Sequence, residues 1–119
     1  MILTEEQRMI RDMARDFAQE RLAPNAAEWD RESIFPSDEL KEMGALGLFG
    51  MTMPEEWGGA GTDYVSFALA IEEIAAGDGA CSTILSVNNS VVCGPRESSR
   101  VIIAYYPQER LGVVCNPLF

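Results

Sequence analysis

The chain has 119 residues, which is enough for one compact domain with a single hydrophobic core but too few for two. Apolar residues make up 47% and charged residues 24%, a composition typical of a soluble globular domain. No apolar run approaches the roughly 18 residues that would predict a membrane span. The formal net charge of −10, from 9 basic and 19 acidic side chains, argues against nucleic acid as a partner, because phosphate binding needs clustered Lys and Arg.

Residue types that carry common catalytic chemistry are scarce. The absence of histidine excludes Ser-His-Asp, Cys-His and His-metal sites. Cys81, Cys93 and Cys115 lie outside any C-x-x-C or Cys/His spacing, so we expect reduced structural thiols and no metal site. The amino terminus, MILTEEQRM, has neither signal-peptide nor transit-peptide composition. We therefore expect a cytoplasmic location, and the mitochondrial matrix only if a transit peptide is missing.

The first predicted element is an amphipathic helix. Thr4 and Gln7 form a capping-box pattern, which satisfies the first free amides of a helix. Ala23-Pro24 interrupts or restarts the helix, because proline is tolerated in a first turn, and a short second helix is predicted to run through Trp29. The apolar stripe at helical spacing comprises Ile10, Met13, Ala14, Phe17 and Ala18.

A turn and a buried connection are predicted next. Phe35-Pro36-Ser37 marks a turn that ends in a helix N-cap, and the helix runs from about Asp38 to Met43 and ends at Gly44. The apolar segment that follows is interrupted by glycines and favours core filling over a cofactor loop. Its apolar residues are Leu46, Leu48, Phe49, Met51 and Met53.

The glycine cluster at Gly58, Gly59 and Gly61 invites a nucleotide-binding interpretation. A dinucleotide fingerprint, however, follows a strand, and a phosphate loop contains Gly-Lys-Ser/Thr; neither context is present. The pattern favours a turn in which glycine adopts positive φ angles.

A helix from about Asp63 to Ala76 is predicted after this turn. Glu72 and Glu73 are adjacent and point about 100° apart, so we expect a solvated face or a domain contact rather than an acid–base pair. The apolar residues that predict the helix recur at intervals of three and four: Tyr64, Phe67, Ala68, Ile71, Ile74 and Ala75.

Another helix is predicted beyond a break at Gly77-Asp78-Gly79. It runs from Ala80 to Val92 and mixes small with apolar residues. Asn88 and Asn89 are expected to form internal hydrogen bonds, because buried amides require partners.

Several segments in this order resemble the amino-terminal helical domain of the acyl-CoA dehydrogenases, and the short-chain or butyryl-type members most. They are LTEEQRMIRDMARDFAQERLAP, WDRESIFPSDELKEMGALGLFG, PEEWGGAGTDY and SVNNSVVCGP. The resemblance extends to about Pro95. It implies an all-α helical bundle over residues 1–95, followed by an atypical tail at 96–119.

The family consists of flavoenzymes that use FAD to desaturate acyl-CoA thioesters between the α and β carbons, usually as homotetramers. The resemblance implies that the catalytic carboxylate and most flavin contacts belong to later domains, which this sequence does not contain. It therefore predicts no catalytic or cofactor-binding residue here, and a chain that is inactive alone and does not hold FAD alone. The wall of the acyl-chain cavity is expected, by resemblance only, at Ser82, Ile84, Ser86 and Val87.

The resemblance stops at the tail, which reads RESSRVIIAYYPQERLGVVCNPLF. Two β-prone runs, Val101 to Tyr106 and Leu111 to Cys115, predict either a hairpin or a disordered segment. Our preferred interpretation is a frameshift, a misjoined exon or a truncated reading frame, and the alternative is a natural replacement tail used for binding. A non-catalytic helical interaction module and a domain completed by a separate polypeptide remain open as alternative functions.

Overall fold

The computed structural model describes residues 1–93, apart from the side chains of Trp57, Val92 and Cys93. These residues fold into helices joined by short turns, and no strand occurs among them, which confirms the all-α class. The α-helices are α1 (Glu5–Phe17), α2 (Ala23–Glu32), α3 (Ser37–Ala45), α4 (Tyr64–Gly77) and α5 (Gly79–Val87). The shorter elements are 3-10 turns at Leu48–Gly50 and Glu55–Trp57 and π-helical segments at Ala18–Leu22 and Asn88–Cys93.

The capping box at the start of α1 is confirmed. The backbone N–H of Gln7 donates to Thr4 Oγ1 at 3.2 Å, and the Thr4 N–H donates to Gln7 Oε1 at 3.0 Å. Gln7 Nε2 also donates to Asp63 Oδ2 at 2.9 Å, which ties the start of α1 to the start of α4. The predicted stripe faces the core, where Ala14 and Phe17 are buried. Cap and stripe together orient α1 along α4.

The predicted interruption at Ala23-Pro24 takes the form of a π-helical segment rather than a gap. The segment Ala18–Leu22 leads directly into α2, and Pro24 lies in the first turn of α2, where proline is tolerated. The second helix continues to Glu32, beyond the predicted end at Trp29. A left-handed Ser33, with φ of 53°, closes it.

Helix α3 begins one residue earlier than predicted, so the expected N-cap at Ser37 is wrong. The residue at the N-cap is Pro36, which makes no side-chain capping bond. The reason lies in the backbone: the Leu40 N–H already donates to the Pro36 carbonyl at 3.0 Å, which makes Ser37 the first helical residue. Gly44 lies inside the helix, and α3 ends at Ala45.

The connection after α3 is buried, as predicted, with one exception. The side chains of Leu48, Phe49, Met51 and Met53 belong to the buried interior, whereas Leu46 is 43% exposed. Gly47 lies between the exposed Leu46 and the buried residues that follow it, and it adopts a φ of 81°. This left-handed turn redirects the chain from the outside of α3 into the core.

Helix α4 begins at Tyr64 with Asp63 as its N-cap, since Asp63 Oδ1 accepts the Ser66 N–H at 2.7 Å. Its most buried line is Ser66, Ala70 and Ile74, which is rotated from the predicted stripe. The predicted helix is confirmed, but not every residue of the apolar pattern is buried: Tyr64 is 78% exposed, and Ala68 and Ala75 are also exposed. Two of the three residues on this buried line, Ser66 and Ala70, have small side chains.

The end of α4 shows how close that packing is. A Cβ atom added to Gly77 would lie 2.9 Å from the Cβ of Ala18 and 2.9 Å from its carbonyl oxygen. Only glycine fits against the π-helical segment at this distance. The predicted break follows immediately, because Asp78 caps α5 by accepting the Cys81 N–H at 2.9 Å.

The tail, residues 96–119, lies outside the described residues, and so does the hairpin or disordered segment that was predicted there. Among the helices of residues 1–93, none has both the length and the apolar character needed to cross a membrane.

Candidate functional site

The glycine turn uses glycine for two different reasons. Gly58 and Gly61 adopt φ angles of 84° and 63°, which confirms the predicted positive-φ turn at these positions. Gly59 has no positive φ but lies against the preceding chain, where an added Cβ would be 2.2 Å from the Met53 carbonyl oxygen. The turn is therefore fixed by both backbone conformation and space.

The backbone amides of this turn are engaged within the chain. The N–H of Gly58 donates to Glu55, that of Gly59 to Pro54 and that of Gly61 to Met53, at 2.9, 3.1 and 2.8 Å. A phosphate cradle needs several free N–H groups that converge on one point. The geometry excludes that role here and favours a structural turn.

Two buried asparagines clamp the end of α5 to the connection after α3. Asn89 Oδ1 accepts the Met51 N–H at 2.9 Å, and its Nδ2 donates to the Leu48 carbonyl at 2.8 Å. Asn88 Nδ2 donates to the Phe49 carbonyl. The prediction of internal hydrogen bonds is confirmed, and the bonds cross between two segments far apart in the sequence.

The four residues expected at the acyl-chain wall lie on two sides of α5. At about 100° per residue, Ser82 and Ser86 lie about 40° apart, whereas Ile84 and Val87 lie on the far side of the helix. Ser82 and Ser86 are half-buried, and Ser82 Oγ donates to the Gly79 carbonyl at 2.7 Å. Ile84 packs against the core, and Val87 is 46% exposed. α5 thus groups them in pairs, and their role as a cavity wall stays a prediction.

The adjacent glutamates of α4 have different surroundings. Glu72 is exposed, whereas the Glu73 side chain is only 14% exposed and accepts two bonds from Arg15, Nε at 3.1 Å and Nη2 at 2.7 Å. The bond to Glu73, with the attraction of its charge, raises the pKa of Arg15. Glu73 is thus occupied in holding α1 against α4, in agreement with the expectation that the two carboxylates do not form an acid–base pair.

A groove that the sequence did not predict opens between α1 and α3. It has a volume of about 620 Å³, and Arg21 spans it to pair with Glu42. The hydrogen bond from Arg21 to Glu42 is the main cause that raises the pKa of Arg21. The sequence did not predict this groove because its lining residues come from two segments that are far apart in the sequence, residues 13–21 and 42–46. Each segment on its own has the usual pattern of an amphipathic helix.

The described residues include one buried thiol, Cys81. Burial raises the pKa of the Cys81 thiol to about 12, so little thiolate forms at neutral pH. No group of Cys, Asp or Glu within residues 1–93 is arranged to hold a metal ion.

A helical hairpin of α4 and α5, packed on α1 and pinned by buried asparagines, defines an all-α domain. Residues 4–98 match the model of the acyl-CoA dehydrogenase N-terminal domain. The chain therefore belongs to the acyl-CoA dehydrogenase family, as the resemblance predicted.

Individual relatives agree with this assignment. The mitochondrial short-chain specific acyl-CoA dehydrogenase of Homo sapiens is 48% identical over 93 residues, which are 78% of this chain and 23% of that protein. The butyryl-CoA dehydrogenase structure from Megasphaera elsdenii aligns with a TM-score of 0.69 at 33% identity, over 73% of this chain and 24% of its own. Glutaryl-CoA dehydrogenase from Mycobacterium smegmatis aligns with a TM-score of 0.79 at 30% identity, over 93% of this chain and 30% of its own.

Proposed function

We propose that this chain serves as the amino-terminal domain of an FAD-dependent acyl-CoA dehydrogenase, an oxidoreductase that desaturates acyl-CoA thioesters in fatty-acid or amino-acid breakdown. The family match over residues 4–98 carries the proposal. Because the chain spans only 23% of the length of the human relative, we propose that the catalytic base lies outside it and that it is inactive alone. In this proposal residues 1–95 form the domain, 96–119 form a separate tail, and the location is cytoplasmic.

The described residues do not fit FAD by themselves. A flavin dinucleotide carries a pyrophosphate, which is bound by free backbone N–H groups or by Arg and Lys. The N–H groups of Gly58, Gly59 and Gly61 are already engaged, and the groove between α1 and α3 is rimmed by carboxylates, which repel phosphate. We therefore place the flavin in other parts of the intact enzyme, together with the acyl-CoA and the homotetramer contacts.

We propose that this chain contributes part of the wall of the cavity that receives the acyl chain. Val87 and Val91 are 46% and 64% exposed on the outer side of α5 and its π-helical extension. Burying such side chains against an acyl chain is favourable, at about 25 cal/mol per Å² of apolar surface removed from water. Ser82, Ile84 and Ser86 are further wall candidates by resemblance, although Ser82 and Ser86 lie on the opposite side of α5 from Val87 and Ile84 packs against the core. The asparagine clamp supports this role, because it fixes the end of α5 to the body of the domain.

The first experiment tests whether the chain is inactive alone. The purified 119-residue chain is incubated with FAD, freed of unbound flavin, and its visible absorption is recorded before and after addition of butyryl-CoA. We expect no retained flavin band. A retained band that bleaches with the thioester would contradict the proposal, because it would require a base and a flavin site within this chain.

A second experiment tests the proposed role in the intact enzyme. Residues 1–95 replace the corresponding domain of the Bacillus subtilis acyl-CoA dehydrogenase, which is 46% identical over 95 residues. We expect the chimera to bind flavin and to desaturate acyl-CoA. In the chimera, Val87→Phe should lower kcat/KM more for octanoyl-CoA than for butyryl-CoA. Ile34→Phe is the matched control, since Ile34 is 45% exposed at a turn far along the chain from α5.

A non-catalytic helical binding module is the second candidate function. The groove between α1 and α3 favours it, because this groove is built entirely from the present chain. A chimera that folds and takes up flavin but lacks dehydrogenase activity would favour the module over the enzyme domain.

A further inference from the structure

Helix α5 and its π-helical extension carry no charged residue. Between Gly79 and Cys93 the chain contains no Asp, Glu, Lys or Arg, although charged residues make up 24% of the whole sequence. A surface helix of a globular domain ordinarily has charged and polar residues on the side that faces water, and a helix without such a side is typical of a buried position. The composition of this helix therefore indicates that its outer side is covered as well as its inner side.

The described residues cover only the inner side. Cys81, Leu85 and Asn89 are buried there. On the opposite side four exposed residues recur at helical spacing, and we call them the outer line of α5. They are Ala80, Thr83, Val87 and Val91. Val87 and Val91 are 46% and 64% exposed, so a segment that packs on them removes apolar surface from water, which is favourable.

The tail of this chain has the apolar character that such a surface requires. Residues 96–119 follow the helix almost directly and contain two runs without a charged residue, 101–106 and 111–115. The first run ends in Tyr105 and Tyr106, whose rings bring a large apolar area. Two short β-prone runs are only marginally stable in water until they pack on something. The outer line offers that surface within the same molecule.

The distribution of charge favours the tail over a second copy of the domain as the occupant. Residues 1–95 hold six basic and 17 acidic side chains, a net charge of −11, whereas residues 96–119 hold three basic and two acidic, a net charge of +1. Two domains of this acidity repel each other, while the tail is attracted to its own domain.

The length of the chain between helix and tail allows the contact. The seven residues 94–100 span up to about 23 Å when extended. The outer line is about 17 Å long from Ala80 to Val91, at 1.5 Å per residue. The connector is therefore long enough for the chain to turn back along the helix. So short a connector also keeps the tail at a high effective concentration beside the outer line.

We propose that residues 101–115 fold back and pack on the outer line of α5, so that this chain covers its own apolar face. The same face cannot hold the tail and an acyl chain together. The tail therefore acts as an internal competitor for that face in the 119-residue chain. The contact does not depend on the desaturation chemistry proposed above, and its test contains neither flavin nor acyl-CoA.

Hydrogen exchange of the 119-residue chain, read by mass spectrometry of peptic fragments, tests the contact. Packing should protect the amides of residues 101–115. Val87→Asp should raise their exchange rate by about tenfold or more, because a carboxylate is costly to bury against apolar groups. Ile34→Asp is the matched control, since it adds the same charge at a residue of equal exposure, 45%, at the turn before α3. It should change the rate by less than about twofold.

The tail side of the contact has its own pair of variants. Ile102→Asp should raise the exchange rate of residues 111–115 by a similar factor, whereas Ser98→Asp, in the connector, should not. Exchange in Val87→Asp/Ile102→Asp should be no faster than in the faster single variant, because both changes act on one docking equilibrium. The exchange of α1, read from the same samples, checks that every variant keeps its fold.

Three results would overturn the proposal. Tail amides that exchange at the same rate in the wild-type chain and in Val87→Asp would mean that the tail does not pack on α5. Equal acceleration by Val87→Asp and Ile34→Asp would mean that the added negative charge alone is responsible. A dimer in sedimentation that Val87→Asp dissociates would mean that a second copy of this chain covers the outer line.

Discussion

Asn89 and Met51 are joined across 38 residues of chain, because Asn89 Oδ1 accepts the Met51 backbone N–H at 2.9 Å. The amide nitrogen of the same side chain donates to the carbonyls of Leu48 and Leu85, at 2.8 and 3.0 Å. A segment without regular structure must satisfy its backbone groups in some other way when it is buried. Asn89 does this for the connection after α3 and thereby fixes it to the end of α5.

Asn89→Ala should be among the most destabilising single changes in the domain. It leaves the Met51 N–H and the Leu48 carbonyl buried without these partners, and we expect the free energy of unfolding to fall by about 2–4 kcal/mol. Urea denaturation followed by circular dichroism measures the change. The control is Ser90→Ala at the exposed next position, where Oγ bonds only the local Ser86 carbonyl, and it should cost less than about 0.5 kcal/mol. Similar costs for the two variants would show that the clamp contributes little.

Gly59→Ala and Gly79→Ala should affect the stability of the fold differently: we expect the first to be destabilising and the second to be neutral or stabilising. A Cβ on Gly59 would lie 2.2 Å from the Met53 carbonyl oxygen, so the backbone has to shift, and we expect a loss of about 2 kcal/mol or more. A Cβ on Gly79 meets nothing within 4 Å at the start of α5. There alanine should be neutral or stabilising, by up to about 1 kcal/mol. Thermal unfolding of the two variants distinguishes this from a general intolerance of side chains at glycine positions, which would lower both melting temperatures.

Local signals predicted the ends and faces of helices where the deciding partners are near in sequence. Thr4 and Gln7, three residues apart, gave a correct capping box. The N-cap at Ser37 failed although its residue type was right, because the first helical hydrogen bond begins at Pro36. Tyr64 fitted the apolar spacing of α4, but packing against α1 and α5 decides which face of α4 is buried.

The candidate sites were even harder to predict from local sequence signals, because their residues are far apart in the sequence. The sequence indicated that Asn89 needs internal partners, but Met51 and Leu48 could not be named, since they are brought near only by the folded chain. The groove was not predicted at all, because Asp16 and Leu46 belong to separate helical elements whose spacing is set by tertiary packing. Family resemblance supplied the expected wall on α5, and periodicity alone would not have singled out those residues.

We expect Asp63 to make part of the free energy of unfolding depend on pH in the acid range. The Ser66 N–H, at 2.7 Å, and then Gln7, at 2.9 Å, bond its carboxylate and lower its pKa below the ordinary value of 3.8. A pKa that is lower in the folded state stabilises the fold above the unfolded-state pKa, and the effect is lost as pH falls through the folded-state value. The difference in unfolding free energy between the wild-type chain and Asp63→Asn should therefore be constant near neutral pH and shrink below about pH 4.

The measurement is urea denaturation of both proteins at a series of pH values, and only their difference is interpreted, because the other carboxyl groups titrate in both. Asn still accepts a capping bond through its side-chain oxygen, so the variant remains folded. A difference that stays the same from neutral to strongly acid pH would mean that the charge on Asp63 does not contribute.

Cys81 should be unreactive in the folded protein. Burial, and then the neighbouring Asp78, raise the pKa of its thiol to about 12, and only the thiolate reacts with disulfides. A variant with Cys93→Ser and Cys115→Ser leaves Cys81 as the single thiol. We expect almost no reaction with Ellman's reagent at about pH 8 in buffer and complete reaction in urea, because unfolding restores both access and an ordinary thiol pKa near 8.5. Reaction in buffer at the rate found in urea would show that the start of α5 opens readily and that Cys81 is not held in the core.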